Sequence, residues 1–161
     1  MQKLPKHTTI SVFEGFAGYG GASFGLKRSG VKHKIVGFSE FDNDAVELYQ
    51  YNFPEVPNFG DITKIDEKDP NFPSFDLFTG GFPCQPFSTV GKRQGQEDER
   101  GRGTLFGDII RICEYKQPKY ILLENVKGLR TGKMKATFEI MLEELKRIGY
   151  DVRHAVLHSK P

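Results

Sequence analysis

The apolar positions of this chain come in short blocks of two periods, and the periods alternate. Thr9 to Glu14 is rich in β-branched and aromatic residues and predicts a first strand. Ala22 to Ser29 predicts a short helix stopped at Gly30. Lys34 to Ser39 predicts a second strand running into Glu40. A helix follows to about Tyr51, capped by Asp42 or Asn43 and ended by Pro54. Val56 to Phe59 predicts a weak third strand and Phe75 to Thr79 a fourth. Thr104 to Glu114 has a helical apolar face of Leu105, Ile109, Ile112 and Cys113. Tyr120 to Leu123 predicts another strand. Ala136 to Ile148 places Phe138, Met141, Leu142, Leu145 and Ile148 on one helical face, with Gly149 as its stop. A last strand is predicted from Tyr150 to about Leu157. Strands alternating with helices predict an α/β fold with a mostly parallel sheet.

The polar punctuation between these blocks is unevenly placed. One strand ends on Glu14-Gly15, a second on Glu40, a third on Gly80 to Cys84, and a fourth on Glu124-Asn125. Open α/β sheets bind ligands at the carboxyl ends of their strands. Four such ends side by side predict a site there.

Length and charge add little. A chain of 161 residues is one domain by the usual prior, so residues 1–161 are expected to form one catalytic and cofactor-binding domain. A net charge of +2 neither demands nor excludes nucleic acid. No stretch approaches the roughly 18 apolar residues of a membrane span, and the polar N-terminus has no secretory core. Cys84 and Cys113 make neither a disulfide framework nor a metal set. His7, His33, His154 and His158 lack ligand spacing, so no metal is expected.

Three segments carry candidate chemistry. Gly15-Phe16-Ala17-Gly18-Tyr19-Gly20-Gly21 joins a strand to a helix, and Glu40 follows the next strand at the distance where a carboxylate takes ribose hydroxyls. An ordinary strand–helix turn with a surface Glu would give the same pattern. A nicotinamide fingerprint is disfavoured because Ser23 stands at its third glycine position. Cys84 lies in a turn fixed by Gly80, Gly81, Pro83 and Pro86, which presents a thiol rather than packing it; Cys113, on a helix core face, reads as structural. Glu124 ends an apolar strand, where one-sided desolvation would favour a proton-donating carboxyl. Gly91 to Gly103 reads either as a solvated loop or as a lid whose Lys92, Arg93, Arg100 and Arg102 meet phosphates.

Taken in order, several blocks resemble the DNA (cytosine-5) methyltransferases. They are Phe16-Ala17-Gly18-x-Gly20-Gly21, Glu40, Gly60-Asp61-Ile62, Gly81-Phe82-Pro83-Cys84-Gln85-Pro86-Phe87-Ser88, Arg102-Gly103-Thr104-Leu105-Phe106 and Glu124-Asn125-Val126. The resemblance spans about Ile10 to Leu129, the first six blocks of that family. It implies a Rossmann-like S-adenosylmethionine-dependent methyltransferase fold. It also implies that Phe16, Gly18, Gly20, Pro83 and Leu105 line the cofactor, that Glu40 holds its ribose and Phe41 its adenine face, and that Asp61 and Ile62 meet the adenine edge. Cys84 would be the nucleophile, adding to carbon 6 of a cytosine flipped out of double-stranded DNA. Glu124 would bind N3 of that base, and Gln85, Ser88, Lys92, Arg93 and Arg102 would approach DNA.

Two departures from the family pattern are mild: Glu14-Gly15 in place of Asp-Leu, and Phe41 in place of a frequent Trp. The larger one is that the arginine-bearing block, the target-recognition region and the last helix do not appear before Pro161. The sheet is therefore expected to be incomplete at its C-terminal end. The chain is expected to be a fragment, a truncated product, or one subunit beside a second that carries target recognition. A bacterial or phage-infected cytoplasm is the expected setting, in a restriction-modification context. An RNA cytosine substrate and a silent cofactor-binding fragment remain open alternatives.

Overall fold

The computed structural model of the chain describes residues 8–83 and 104–158. These residues fall into two units, taken separately here: 8–82 with 115–124, and 83 and 104–114 with 125–158.

The first unit is built on four parallel strands in the order β2-β1-β3-β4. They are β1 (Ile10–Gly15), β2 (His33–Ser39), β3 (Leu77–Gly81) and β4 (Tyr120–Glu124). Side chains alternate across a strand, so β1 feeds two layers at once. Ile10 and Val12 face one side and pack with Leu77, Leu26 and Ile35. Phe13 faces the other and meets the rings of Phe72, Phe75, Phe59 and Phe78 at 5.1, 5.3, 5.9 and 6.0 Å between centroids. Lys116 closes this aromatic layer, donating to the Phe72 carbonyl at 2.7 Å with its ammonium over the same ring.

Two helices belong to the first unit, α1 (Gly21–Ser29) and α2 (Asn43–Asn52). Gly30 ends α1 in the left-handed region that a glycine reaches without penalty. Asp42 caps α2, its carboxylate accepting the Ala45 N–H at 2.9 Å. Such a cap is worth about 1 kcal/mol. At the foot of the sheet, Asp76 Oδ2 accepts both the amide and the hydroxyl of Ser11 at 2.9 Å. Those bonds hold the Asp76 carboxyl below its ordinary range.

The predicted strand from Val56 to Phe59 is not one. It makes a single bridge, Phe38 to Asn58, with Phe59 donating to the Phe38 carbonyl at 2.8 Å. Pro57 has no N–H to give a ladder, which limits pairing to that one contact.

The second unit holds most of α3 (Leu105–Lys116) and all of α4 (Lys135–Arg147), with 3-10 turns at Lys127–Arg130 and Gly132–Met134. α3 buries Phe106, Ile109, Ile110, Ile112 and Cys113. Burial pushes the Cys113 thiol far up from its ordinary value. Arg147 ties α4 to α3, reaching Glu114 at 2.7 Å and Glu144 at 2.9 Å. Gly149 ends α4 as predicted, and Tyr150 donates back to the Leu145 carbonyl at 3.1 Å.

The expected last strand, Tyr150 to Leu157, is absent: none of residues 150–158 belongs to a strand, and Leu157 is 89% exposed. Alternating apolar residues do not make a strand unless a neighbour accepts their backbone groups. Among the described residues, β4 is the outer strand of its sheet, with Tyr120 and Leu122 exposed. No described helix is long and apolar enough to cross a membrane.

Candidate active site at the strand ends

Parallel pairing brings the polar strand ends together by register. Gly15 lies beside Ser39 on one side and Gly80 on the other, and Gly81 lies beside Glu124. The glycine turn, Glu40, the start of the Gly80-Gly81 segment and Glu124 therefore share one edge of the first unit's sheet.

The turn itself is an uncommon backbone. Phe16, Gly18 and Gly20 all have positive φ, at 52°, 52° and 90°. An aromatic residue held there is a rarity that the surroundings must enforce. The enforcement comes from hydrogen bonds. Ala17 donates to the Ser39 carbonyl at 3.0 Å, and Gly18 donates to Glu40 Oε2 at 2.9 Å. Gly20 has a second reason to be glycine: a Cβ there would sit 3.1 Å from the Phe53 ring and 3.2 Å from that of Tyr49. Among the described residues, a Cβ at Gly18 would meet nothing within 4 Å, so none of them fills that side of the turn.

Glu40 is half-buried and anchored three ways. Besides Gly18, its Oε1 accepts the N–H groups of Phe41 and Asp42 at 2.8 and 2.9 Å. A carboxylate has about four acceptor positions, so about one remains for a ligand hydroxyl. Phe41 follows and is 77% exposed, an apolar residue open to solvent beside the carboxylate.

Asn58, which sequence reasoning passed over, joins these groups to the next segment. Its carbonyl oxygen accepts from Gly60 at 2.9 Å and from Glu40 N–H at 3.3 Å, while its amide donates to the Glu40 carbonyl at 3.0 Å. Ser39 adds a bond to the Gly60 carbonyl at 2.6 Å. Asp61 and Ile62 are thereby held next to Glu40. Asp61 accepts the amide and hydroxyl of Thr63 at 2.9 and 2.8 Å, which hold its carboxyl below the ordinary range. The Ile62 side chain is buried, so any ligand contact from it comes through its main chain.

Glu124 ends β4 with its carboxylate against Gly81, where a Cβ would come within 3.1 Å of Oε2. Gly81 thus leaves the room that this carboxylate occupies. Glu124 is exposed, and the one-sided burial expected for it is not present. Glu14 is the buried acid instead, 2% exposed and bonded to Ala22, Ser23 and Tyr49. Burial raises its carboxyl above the usual range, opposed by those hydrogen bonds. The cue for it was Glu14 itself, an acid on the core-facing side of β1.

In the second unit, Pro83 is exposed, and Leu105 is half-buried at the start of α3. The preceding Thr104 hydroxyl accepts the Gly107 N–H at 3.1 Å and caps the helix. Cys84, Gln85, Ser88, Lys92, Arg93 and Arg102 lie outside the described residues.

The four-stranded parallel sheet thus gathers a glycine turn and the carboxylates of Glu40 and Glu124 at its strand ends, as an open α/β fold does at a ligand site. The family model for C-5 cytosine-specific DNA methylase matches residues 10–161, and the chain belongs to that family. It is 44% identical over 159 residues to the type II methyltransferase M1.ScrFI of Lactococcus lactis subsp. cremoris, covering 99% of this chain and 39% of the relative. It is 43% identical over 153 residues to the orphan methyltransferase M.Rho11sI of Bacillus phage rho11s, covering 94% of this chain and 30% of the relative. Among solved structures it is similar to the Dnmt2 methyltransferase of S. pombe. That match has a TM-score of 0.70 at 27% identity, and covers 89% of this chain and 42% of the other. The chain thus spans less than half the length of each of these relatives.

Proposed function

We propose that this chain is the cofactor-binding and nucleophile-bearing part of a DNA cytosine-5 methyltransferase, with residues 1–161 belonging to one catalytic domain. The observation that carries this is the Gly18–Glu40 hydrogen bond beside an exposed Phe41, in a chain of the C-5 cytosine methylase family. The pocket edge suits S-adenosylmethionine: open space at Gly18, an acceptor position left on Glu40, and an aromatic face for adenine. Asp61 and the Ile62 main chain take the adenine edge, with Phe16 and Gly20 in the same unit; Pro83 and Leu105 are assigned to the cofactor by the family resemblance alone. When bound, the cofactor supplies a methyl group on a sulfonium, ready for transfer to a carbon nucleophile.

The chain's own residues make that nucleophile. Carbon 5 of cytosine is unreactive until a thiolate adds to carbon 6. Cys84 supplies the thiolate, and Glu124 binds N3 and favours its protonation, so that carbon 5 becomes enamine-like. Carbon 5 takes the methyl group and then loses its proton. The Cys84 thiolate leaves carbon 6 and the ring is restored. The base must first swing out of the double helix, since stacking covers both ring faces. Gln85, Ser88, Lys92, Arg93 and Arg102 meet the flanking DNA. The relatives named above, one bacterial and one phage-encoded, favour a bacterial or phage-infected cell as the setting.

The test is transfer of labelled methyl from S-adenosylmethionine to mixed-sequence DNA, with Cys84→Ser as control and tRNA as a parallel substrate. The same assay is repeated after adding extract of the native source. Label at carbon 5 of DNA cytosine that depends on Cys84, with or without extract, supports the proposal. Label only in tRNA, or DNA label indifferent to Cys84→Ser, overturns it.

A further inference from the structure

The residue just before the glycine turn and the residues just after it are joined by a closed set of buried hydrogen bonds. Glu14 is the buried, next-to-last residue of β1. Its Oε1 accepts the Ala22 N–H at 3.1 Å, at the start of α1. Its Oε2 accepts from the Ser23 hydroxyl on α1 and, at 3.1 Å, from the Tyr49 hydroxyl on α2. The Ser23 and Tyr49 hydroxyls are themselves 2.8 Å apart. All three residues are at most 2% exposed. Tyr49 acts through its ring as well. It stacks on Phe38 with centroids 3.8 Å apart, and its edge underlies Gly20.

Apolar packing alone would hold β1, α1 and α2 together without taking a carboxylate out of water. Among the described residues no ion pair reaches Glu14, so its burial is compensated by hydrogen bonds alone. What a fully bonded polar cluster adds over apolar packing is direction, because each bond fixes two atoms in distance and angle. Here the directions fixed are those of the two ends of the turn, while Glu40 holds its middle at Gly18.

We infer that Ser23 and Tyr49, acting through Glu14, are positioning residues that preset the Phe16–Gly20 turn for the cofactor. This rests on the cofactor reading proposed above. The cluster touches the turn's ends from inside the unit, and its three side chains are at most 2% exposed, so none of them lies open to a ligand. Its effect is therefore on cofactor affinity rather than on the chemistry of transfer.

The experiment is calorimetric titration of the 161-residue chain with S-adenosylhomocysteine, well below the melting temperature. The variants are Tyr49→Phe, Ser23→Ala and, as a packing control on α2, Val46→Ala. Loss of a hydrogen bond to a charged group predicts a Kd about ten-fold weaker for Tyr49→Phe and Ser23→Ala. Val46→Ala is expected to lower the melting temperature and to leave Kd within about two-fold, because it thins the apolar packing around Ala17, Phe38, Tyr49 and Val56 without removing a hydrogen bond. Wild-type affinity in both cluster variants overturns the positioning role and leaves the cofactor reading standing. A wild-type chain that binds no S-adenosylhomocysteine overturns both. Should Tyr49→Phe not fold, Ser23→Ala decides, since it removes one hydroxyl and little volume.

Discussion

Glu40 Oε2 accepts the Gly18 N–H at 2.9 Å, so the carboxylate expected to hold a ribose is also a strut of the glycine turn. One substitution therefore removes two things. Glu40→Ala is expected to weaken cofactor binding by roughly 100-fold or more, beyond the loss of one ordinary hydrogen bond. Glu40→Gln keeps a carbonyl for Phe41 and Asp42 but turns an NH2 group toward Gly18, and is expected to fall between the two. Titration of both variants with S-adenosylhomocysteine checks the order.

The two glycines of the turn are expected to fail in different ways. Gly20→Ala forces a side chain onto Tyr49 and Phe53 at a φ of 90°. It should cost about 1–3 kcal/mol, a fall in Tm of roughly 2–12 °C for a chain of this size. Gly18→Ala meets no neighbour within 4 Å, so its fold cost is only that of its φ of 52°. It should cost less Tm and more cofactor affinity, because the added methyl enters the space left for the ligand. Paired melting and binding curves separate the two.

Glu14 sets a pH signature. Its carboxyl is raised by burial, with Tyr49 the titratable group bonded to it. A raised acid contributes stability that is full below its unfolded value and is lost as pH climbs through the folded one. Wild type should therefore lose stability relative to Glu14→Gln as pH rises from the ordinary carboxyl range upward. Asp61 and Asp76, whose carboxyls are lowered, act in the opposite sense in both proteins and cancel from the difference. Thermal melts of the pair across pH 4 to 8, on the order of one unit apart, give the sign directly.

The two cysteines should differ in reactivity. Cys113 is fully buried and its thiol is held protonated, so it should resist alkylation in the folded chain. Brief iodoacetamide treatment followed by peptide mapping should find Cys84 modified and Cys113 intact. Unfolding in guanidinium should expose both. Modification of Cys113 first would contradict the assignment of roles.

Much of the scaffold was legible because parallel strands and amphipathic helices write their period into the chain. Glu14, Glu40 and Glu124 were visible as polar ends of apolar runs, and their convergence follows from parallel pairing. Other features depend on contacts far apart in sequence. Asn58 works by reaching Glu40, 18 residues away, and Tyr49 by reaching Glu14, 35 residues away. No local pattern marks either. Val56 to Phe59 and Tyr150 to Leu157 had the apolar content of strands, but beyond the Phe38–Asn58 bridge neither pairs as a strand among the described residues. The exposure of Glu124 depends on what surrounds β4, which the residues of that strand do not encode.

The Phe16–Gly20 turn with Glu40 is proposed to take S-adenosylmethionine rather than a nicotinamide dinucleotide. Equilibrium dialysis of the 161-residue chain against labelled S-adenosylmethionine, with NADH as competitor and Glu40→Ala as control, tests it most directly. Saturable binding of one cofactor per chain is expected, undisplaced by NADH and lost in Glu40→Ala. Saturable binding of NADH with none of S-adenosylmethionine would contradict it.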